Sequence, residues 1–133
     1  NKKSKPEAFD ARYEAMRGVF KGEKRLFIHA DELKALLDVL AFIEEYTIAK
    51  PVIVGGYDSY MITDQLRDTK VPVMLTRTHS LPQNEDDPID LVYRLPKMLQ
   101  DGGVQFCLQN AGSMEAMNAR NIPFLAGSAM AYG

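Results

Sequence analysis

The sequence predicts an α/β fold in which parallel β-strands alternate with helices. Four short runs, RLFIHA, PVIVGG, VPVMLT and VQFCLQ, are each about five or six residues long and apolar on both faces. This pattern is typical of strands in a parallel sheet that helices cover on both sides. The runs start near Leu26, Val52, Val73 and Val104 and recur every ~20 to 30 residues, the period expected of repeated β/α units.

Helical patterns fill the intervals between these runs. In DELKALLDVLAFIEEY the apolar residues recur at helical spacing, and Asp31 is expected to cap the first turn. Further helices are predicted over YDSYMITDQLRD and over IDLVYRLPKMLQDGG, which Pro96 is expected to kink. The N-terminal PEAFDARYEAMRGVFKG, with Phe9 on its apolar stripe, and the Ala-rich ARNIPFLAGSAMAYG also favour helices. This pattern is consistent with an open flavodoxin-like sheet and with half of an eight-fold β/α barrel, and it does not distinguish between them.

Length and composition indicate one domain over residues 1–133. The 133 residues are 26% charged and 46% hydrophobic, enough for one ordinary core. The net charge of -2 gives no broad attraction to nucleic acid or anionic lipid, so neither partner is expected. Cys107 lies in an apolar run, and a single cysteine forms no intrachain disulfide. No apolar run approaches the ~20 residues of a membrane-spanning helix. Both ends look cut, so we expect a piece of a longer protein.

The candidate site residues follow the four predicted strands. Chemistry in parallel β/α folds collects beyond the carboxyl ends of the strands. Those positions hold His29, Asp31, the segment from Gly55 to Asp58, Arg77, Thr78, His79, Gln109, Asn110 and Ser113. Both histidines of the chain are among them, and imidazole is the commonest zinc ligand and a usual general base.

Each candidate also has a purely structural interpretation. His29 is a metal ligand or catalytic group, or else packs where a strand meets a helix. His79 is a site residue or an exposed loop histidine bonded to backbone. Arg77 can hold a carboxylate or phosphate through a bidentate contact, or pair with a loop acid. Gly55 and Gly56 lack the spacing and lysine of a phosphate loop, which favours a tight turn. The acidic segment from Glu85 to Asp90 is expected to be a solvated loop rather than a calcium site.

Three stretches of the chain carry a family resemblance. They are KGEKRLFIHADELKALLDVLAFIEEY, PVIVGGYDSYMITDQLRDTKVPVMLTRTHSLP and VQFCLQNAGSMEAMNARNIPFLAGSAMAYG. Together they resemble the later part of amidohydrolase-superfamily enzymes, in the imidazolonepropionase-like branch. The resemblance covers nearly the whole chain from Lys21 onward. It implies a distorted (β/α)8 TIM-barrel-like fold with one or two divalent metals, usually zinc, that activate water to hydrolyse C–N bonds in amides or cyclic amides. Since a full barrel takes ~250 residues, this chain is expected to be the C-terminal half barrel.

Carried over residue by residue, the resemblance places His29 at the strand-five metal histidine. Gly55 or Gly56 stands where the family has its strand-six histidine. Asn110 stands where active members have the strand-eight aspartate, and an asparagine cannot act as that general base. His79 is not a standard ligand of the family; together with Arg77 and Asn110 it is expected to contact a small-molecule substrate.

Three interpretations follow. The first is a fragment of a metal-dependent C–N hydrolase that is inactive in isolation. The second is a noncatalytic descendant of the same fold, which serves small-molecule binding or assembly. The third is an independent flavodoxin-like domain. Because a half barrel leaves open sheet edges, the first predicts a homo-oligomer or pairing with the missing half barrel.

Overall fold

The fold is described by a computed structural model that covers residues 10–75, 77–110 and 115–133. It consists of one four-stranded parallel sheet with helices between the strands. In chain order the elements are α1 (Ala11–Phe20), β1 (Leu26–Ala30), α2 (Leu33–Glu45), β2 (Pro51–Gly55), a 3-10 helix (Tyr57–Ile62), α3 (Thr63–Thr69), β3 (Val73–Leu75), α4 (Leu91–Asp101), β4 (Phe106–Leu108), a second 3-10 helix (Glu115–Asn121) and α5 (Ile122–Ala131). The predicted α/β fold of parallel β/α units is therefore confirmed.

The strands lie in the order in which they occur along the chain, β1-β2-β3-β4. Every neighbouring pair is parallel, and the last residue of β1, Ala30, pairs with Gly55, which pairs in turn with Leu75 and then with Leu108. The carboxyl ends of all four strands therefore lie at the same end of the sheet. This end is called the rim below.

Helices cover one face of the sheet. Ile53, Val73 and Leu75 point to this face, and each is at most 1% exposed. They pack in the same cluster as Leu36 of α2 and Leu99 of α4, which are also fully buried. Burial of a leucine or isoleucine side chain contributes about 1.5–3 kcal/mol, so this face carries most of the stabilisation that holds the rim in place.

The opposite face of the sheet is only partly covered. Residues that pair in register share a face, and His29, Val54, Met74 and Cys107 form one such row. Val54 is buried in mid-sheet, but His29 on β1 and Cys107 on β4 are exposed. Phe27, which precedes this row on β1, is 52% exposed. The sequence predicts strands that helices cover on both faces. Within the described residues, helices cover one face only.

Three local predictions need correction. Asp31 does not cap α2; the amide of Leu33, the first residue of the helix, donates instead to the carboxylate of Asp58 at 2.9 Å. The segment YDSYMITDQLRD is not one helix but a 3-10 helix followed by α3. The run VQFCLQ yields only β4, because the amide of Val104 turns back to the carbonyl of Leu99 at 2.9 Å.

Other local expectations have plainer outcomes. Pro96 lies inside α4, which runs continuously across it. Phe9, predicted on the first helix, lies outside the described residues, and α1 begins after an Asp10 cap. Within the described segments, none of the helices has the length and apolar character that a membrane crossing requires.

Candidate functional site

The rim brings the candidate residues to one end of the sheet, as the sequence predicts. His29 is the penultimate residue of β1, Arg77 lies two residues beyond β3, and Asn110 lies two residues beyond β4. Because the strands are parallel, these positions cannot lie at opposite ends of the sheet. Ser113, another candidate, lies outside the described residues.

His29 projects from the face of the sheet that the helices do not cover. Its side chain is exposed and lines an apolar groove of about 500 Å³ along β1, together with side chains of α1 and α2. Its neighbours in the same row include no carboxylate or second imidazole: they are Val54, Met74 and Cys107. Within the described segments no group of three or more His, Cys, Asp or Glu side chains could hold a metal ion. His29 is thus positioned as a single potential ligand.

The glycine pair at the end of β2 is explained by tight packing. Gly55 has φ +112°, and a Cβ there would lie 2.5 Å from Oδ1 of Asp31 and 2.9 Å from the carbonyl oxygen of Ala30. Gly56 has φ +71°, and its Cβ would lie 2.6 Å from Cγ1 of Val73. Both backbone conformations favour glycine, since L side chains rarely adopt them. A histidine at either position would collide with the neighbouring strands.

The amides of this turn are already used inside the protein. The amide of Gly56 donates to the carbonyl of Ala30 at 2.8 Å, and the amide of Asp58 donates to the carbonyl of Asp31 at 2.9 Å. A phosphate loop instead directs its amides at the ligand. The tight-turn interpretation of the glycine pair is therefore the one that the geometry supports.

Arg77 lies at the mouth of a separate cavity. Its Nε donates to the carbonyl of His79 at 2.9 Å. It lines a cavity of about 290 Å³. The described residues around this cavity are Gly55, Tyr57, Leu75, Arg77, Ser80, Gln83, Val92 and Leu95. Since Leu75 points to the helix face, this cavity lies on the side of the sheet away from the His29 imidazole.

Among the described residues, the imidazole of His79 is hydrogen-bonded to another side chain and not to backbone. Its Nε2 lies 2.7 Å from Oγ of Ser128 on α5. Its ring lies 5.5 Å from that of Tyr93, which in turn stacks on Tyr132 at 5.0 Å. The imidazole therefore connects the loop after β3 to α4 and α5.

Three buried polar atoms near the rim have no hydrogen-bond partner in the described part of the structure. They belong to Asp31, Thr78 and Asn110. Asn110 uses its Nδ2 to donate to the carbonyl of Asn118 at 3.0 Å, while its Oδ1 is the orphan. A buried acceptor without a partner costs about 1–3 kcal/mol, which makes these atoms candidates for contacts with a ligand or water.

A hydrogen-bond network at the start of the first 3-10 helix has no recognisable signal in the sequence. The hydroxyl of Tyr57, a buried residue, donates to Oδ2 of Asp87 at 2.7 Å and accepts from the amide of Gln83 at 3.0 Å. Burial, and then the bond to Asp87, raises the pKa of Tyr57. The same bond, with further donors on Asn84, lowers the pKa of Asp87. This carboxylate therefore holds the acidic loop against the first 3-10 helix.

Comparison with known proteins agrees with the fold. No family model matches the chain, and a search of curated proteins finds no match either. Among solved structures, the chain is similar to the crystal structure of an amidohydrolase from Thermotoga maritima MSB8, with a TM-score of 0.79 and 22% sequence identity. The match covers 94% of this chain but 32% of that one. The chain thus spans about a third of the length of the amidohydrolase it matches, and it has the fold of that part.

Proposed function

We propose that this chain is a segment of a metal-dependent hydrolase that cleaves C–N bonds in amides or cyclic amides, in the imidazolonepropionase-like branch of the amidohydrolases. The observation that carries the proposal is the position of His29. Its imidazole is exposed at the rim, on the face away from the helices, in a fold that is similar to part of an amidohydrolase. Parallel β/α enzymes place their reactive groups at this end of the strands.

The proposal assigns one ligand to this chain. A divalent metal, for which zinc is the proposed identity, supplies Lewis-acid activation of a water molecule when bound. His29 would contribute a neutral imidazole nitrogen to it. A catalytic zinc takes three protein ligands, and the described residues contain no such group. The remaining ligands are therefore proposed to come from other parts of the protein, and the chain by itself is proposed to be inactive.

The proposed substrate contacts are Arg77, His79 and Asn110. The carbonyl oxygen of the Asn110 carboxamide is buried without a partner among the described residues, so a substrate N–H would satisfy it. Arg77, two residues beyond the end of β3, is proposed to contact an acidic group of a substrate that extends across the rim from His29. His79 is half-buried between Ser128 and Tyr93, which fits a role in holding the loop beside the substrate.

Among the described residues β1 has a neighbouring strand, β2, on one side only, which supports a further strand partner on its other side. The amide of Leu26 and the carbonyl of Ala30 bond towards β2. Backbone groups alternate in direction along a strand, so those of Phe27 and His29 point to the free edge. Apolar side chains of α1 and α2 flank this edge, and Phe20 and Phe42 are exposed there. We propose that a strand of the missing half barrel, or of a second copy, pairs here.

The metal assignment is tested by measuring zinc in the full-length protein that carries this chain. We expect His29→Ala to lose stoichiometric zinc and amide hydrolysis together. His79→Ala is the matched control, because the Nε2 of that imidazole is engaged by Ser128. It should keep the wild-type zinc content. Undiminished zinc in His29→Ala would remove the basis of the proposal.

A second candidate function is noncatalytic binding of a small molecule on the same fold. It is favoured by Gly55 and Gly56, which leave no room for a side chain in place of the strand-six histidine, and by the neutral Asn110. This candidate predicts that zinc added to the purified full-length protein neither binds stoichiometrically nor elicits amide hydrolysis. Zinc-dependent turnover would exclude it.

A further inference from the structure

A serine hydroxyl and an imidazole are paired where the loop after β3 contacts α5. Oγ of Ser128 lies 2.7 Å from Nε2 of His79, within the roughly 2.6–3.2 Å that separates a nucleophile from its general base. Both residues are half-buried, so part of each side chain remains open to solvent. A serine hydroxyl is a weak nucleophile by itself, and an adjacent base is what activates it.

The hydrogen bond of Ser128 differs from the usual one for a hydroxyl on a helix. A helical serine or threonine commonly donates to the carbonyl of the preceding turn, as Oγ1 of Thr69 does to Gln65 at 2.6 Å. The hydrogen bond that the structure gives the Ser128 hydroxyl goes to the imidazole of His79. When Nε2 carries no proton, the hydroxyl donates to it, and Nε2 is then the acceptor that a general base must offer.

The imidazole is held in position from two further directions. Its ring lies 5.5 Å from the ring of Tyr93, which stacks on Tyr132 at 5.0 Å. The carbonyl of His79 accepts a hydrogen bond from Nε of Arg77 at 2.9 Å. The base is therefore oriented before a reactant arrives, which is the part that a third group plays beside a nucleophile and its base.

There is space for a small reactant beside the pair. His79 lines a cavity of about 340 Å³, near the lower limit of the roughly 300–1,000 Å³ of small-molecule sites. Leu81 and Ile89 form an apolar part of its lining and are 78% and 71% exposed. On α5, a Cβ added at Gly127 would meet no atom within 4 Å, so the flank of the helix beside the serine is open. The apolar lining fits a short aliphatic chain.

We propose that Ser128 is a nucleophile, with His79 as its general base, and that it takes the acyl group of an activated ester with a short aliphatic chain. Oγ forms a bond to the ester carbonyl carbon, and the bond from that carbon to the leaving oxygen breaks. The hydroxyl proton passes to Nε2 of the imidazole, which then gives it to the leaving oxygen. The acyl chain would lie against Leu81 and Ile89. The inference goes beyond the hydrolase function proposed above and uses no metal.

The test is acylation of the full-length protein by p-nitrophenyl butyrate in the presence of a chelator, followed by mass spectrometry of its peptides. The chelator stops metal-dependent turnover, so the result is independent of the metal assignment. We expect one butyryl group on Ser128. His79→Gln should slow this acylation by about a hundredfold or more, since general bases contribute about 10²–10⁴-fold. Glutamine can keep a hydrogen bond to the hydroxyl but takes no proton, so this variant separates a base from a structural partner.

The matched control is Ser80→Ala. Ser80 is a half-buried serine that lines the same cavity, but its hydroxyl donates to the carbonyl of Arg77 at 3.3 Å and not to an imidazole. This variant should acquire the butyryl group on Ser128 at the wild-type rate. Acylation of the wild type should also be lost in denaturing urea, a comparison that needs no variant. Absence of the adduct on Ser128, an unchanged rate in urea or in His79→Gln, or equal losses in the Ser80 and His79 variants would overturn the inference.

Discussion

Replacing Gly55 by alanine is expected to destabilise the protein strongly, because the rim is built around the absence of a side chain there. The added Cβ would lie 2.5 Å from Oδ1 of Asp31 and 2.9 Å from the carbonyl oxygen of Ala30. The Asp31 carboxylate can rotate away. The Ala30 carbonyl cannot move freely, since it accepts the amide of Gly56 at 2.8 Å.

Two terms set the magnitude of this effect. A non-glycine residue held at φ +112° costs about 1–3 kcal/mol in backbone strain. Forcing an extra methyl group into a packed site costs a further 1–3 kcal/mol or so. The free energy of unfolding should therefore fall by about 2–6 kcal/mol, a large part of the roughly 5–15 kcal/mol available to a domain.

Urea denaturation followed by circular dichroism measures this change. With a slope of about 1–3 kcal/mol per molar urea, a loss of about 2–6 kcal/mol in Gly55→Ala should lower the midpoint by at least about 0.7 M. Gly127→Ala is the control, since that glycine lies inside α5 with no atom within 4 Å of its Cβ. It should gain about 0.5–1 kcal/mol from helix propensity. A Gly55→Ala protein as stable as the wild type would refute the argument that packing excludes a side chain.

Three further outcomes are expected in urea denaturation. Asp58→Ala removes the acceptor of the first amide of α2 and should cost about 0.5–2 kcal/mol. Tyr57→Phe should make the free energy of unfolding less dependent on pH, both in the acid range and in the alkaline range. The lowered pKa of Asp87 gives stability that is present above about pH 4 and lost as pH falls, whereas the raised pKa of Tyr57 gives stability that is present below about pH 10 and lost as pH rises. Leu36→Ala should cost about 2–5 kcal/mol, against less than about 1 kcal/mol for Leu37→Ala on the same helix.

Each of these expectations has its own contrary result. Asp58→Asn keeps a side-chain acceptor and should stay close to the wild type, so a loss as large as in the alanine variant would argue against the cap. An unchanged pH profile in Tyr57→Phe would show that the bond to Asp87 does not couple to folding. Equal losses at Leu36, which is fully buried, and at Leu37, which is 43% exposed, would contradict the packing of α2.

Local patterns were sufficient to predict the order of elements and the end of the sheet at which the candidate residues lie. Apolar runs flanked by helical periodicity predict β/α units, and right-handed parallel connections then place the strand ends together. His29, Arg77 and Asn110 were placed at this end of the sheet in this way, because each follows or ends a recognisable strand; their roles in a site stay predictions. The glycine pair was also interpreted correctly as a turn, since glycine at a strand end has few other uses when the phosphate-loop spacing is missing.

The partners of these side chains depended on tertiary packing. Tyr57 bonds to Asp87, 30 residues away, and His79 to Ser128, 49 residues away. Asp58, not Asp31, satisfies the first amide of α2, because the turn after β2 folds against the end of β1. Sequence periodicity encodes which residues are buried and in which local geometry. It does not encode how two segments that are remote in sequence pack against each other. That packing decides which hydrogen bonds form and on which face of the sheet each cavity lies.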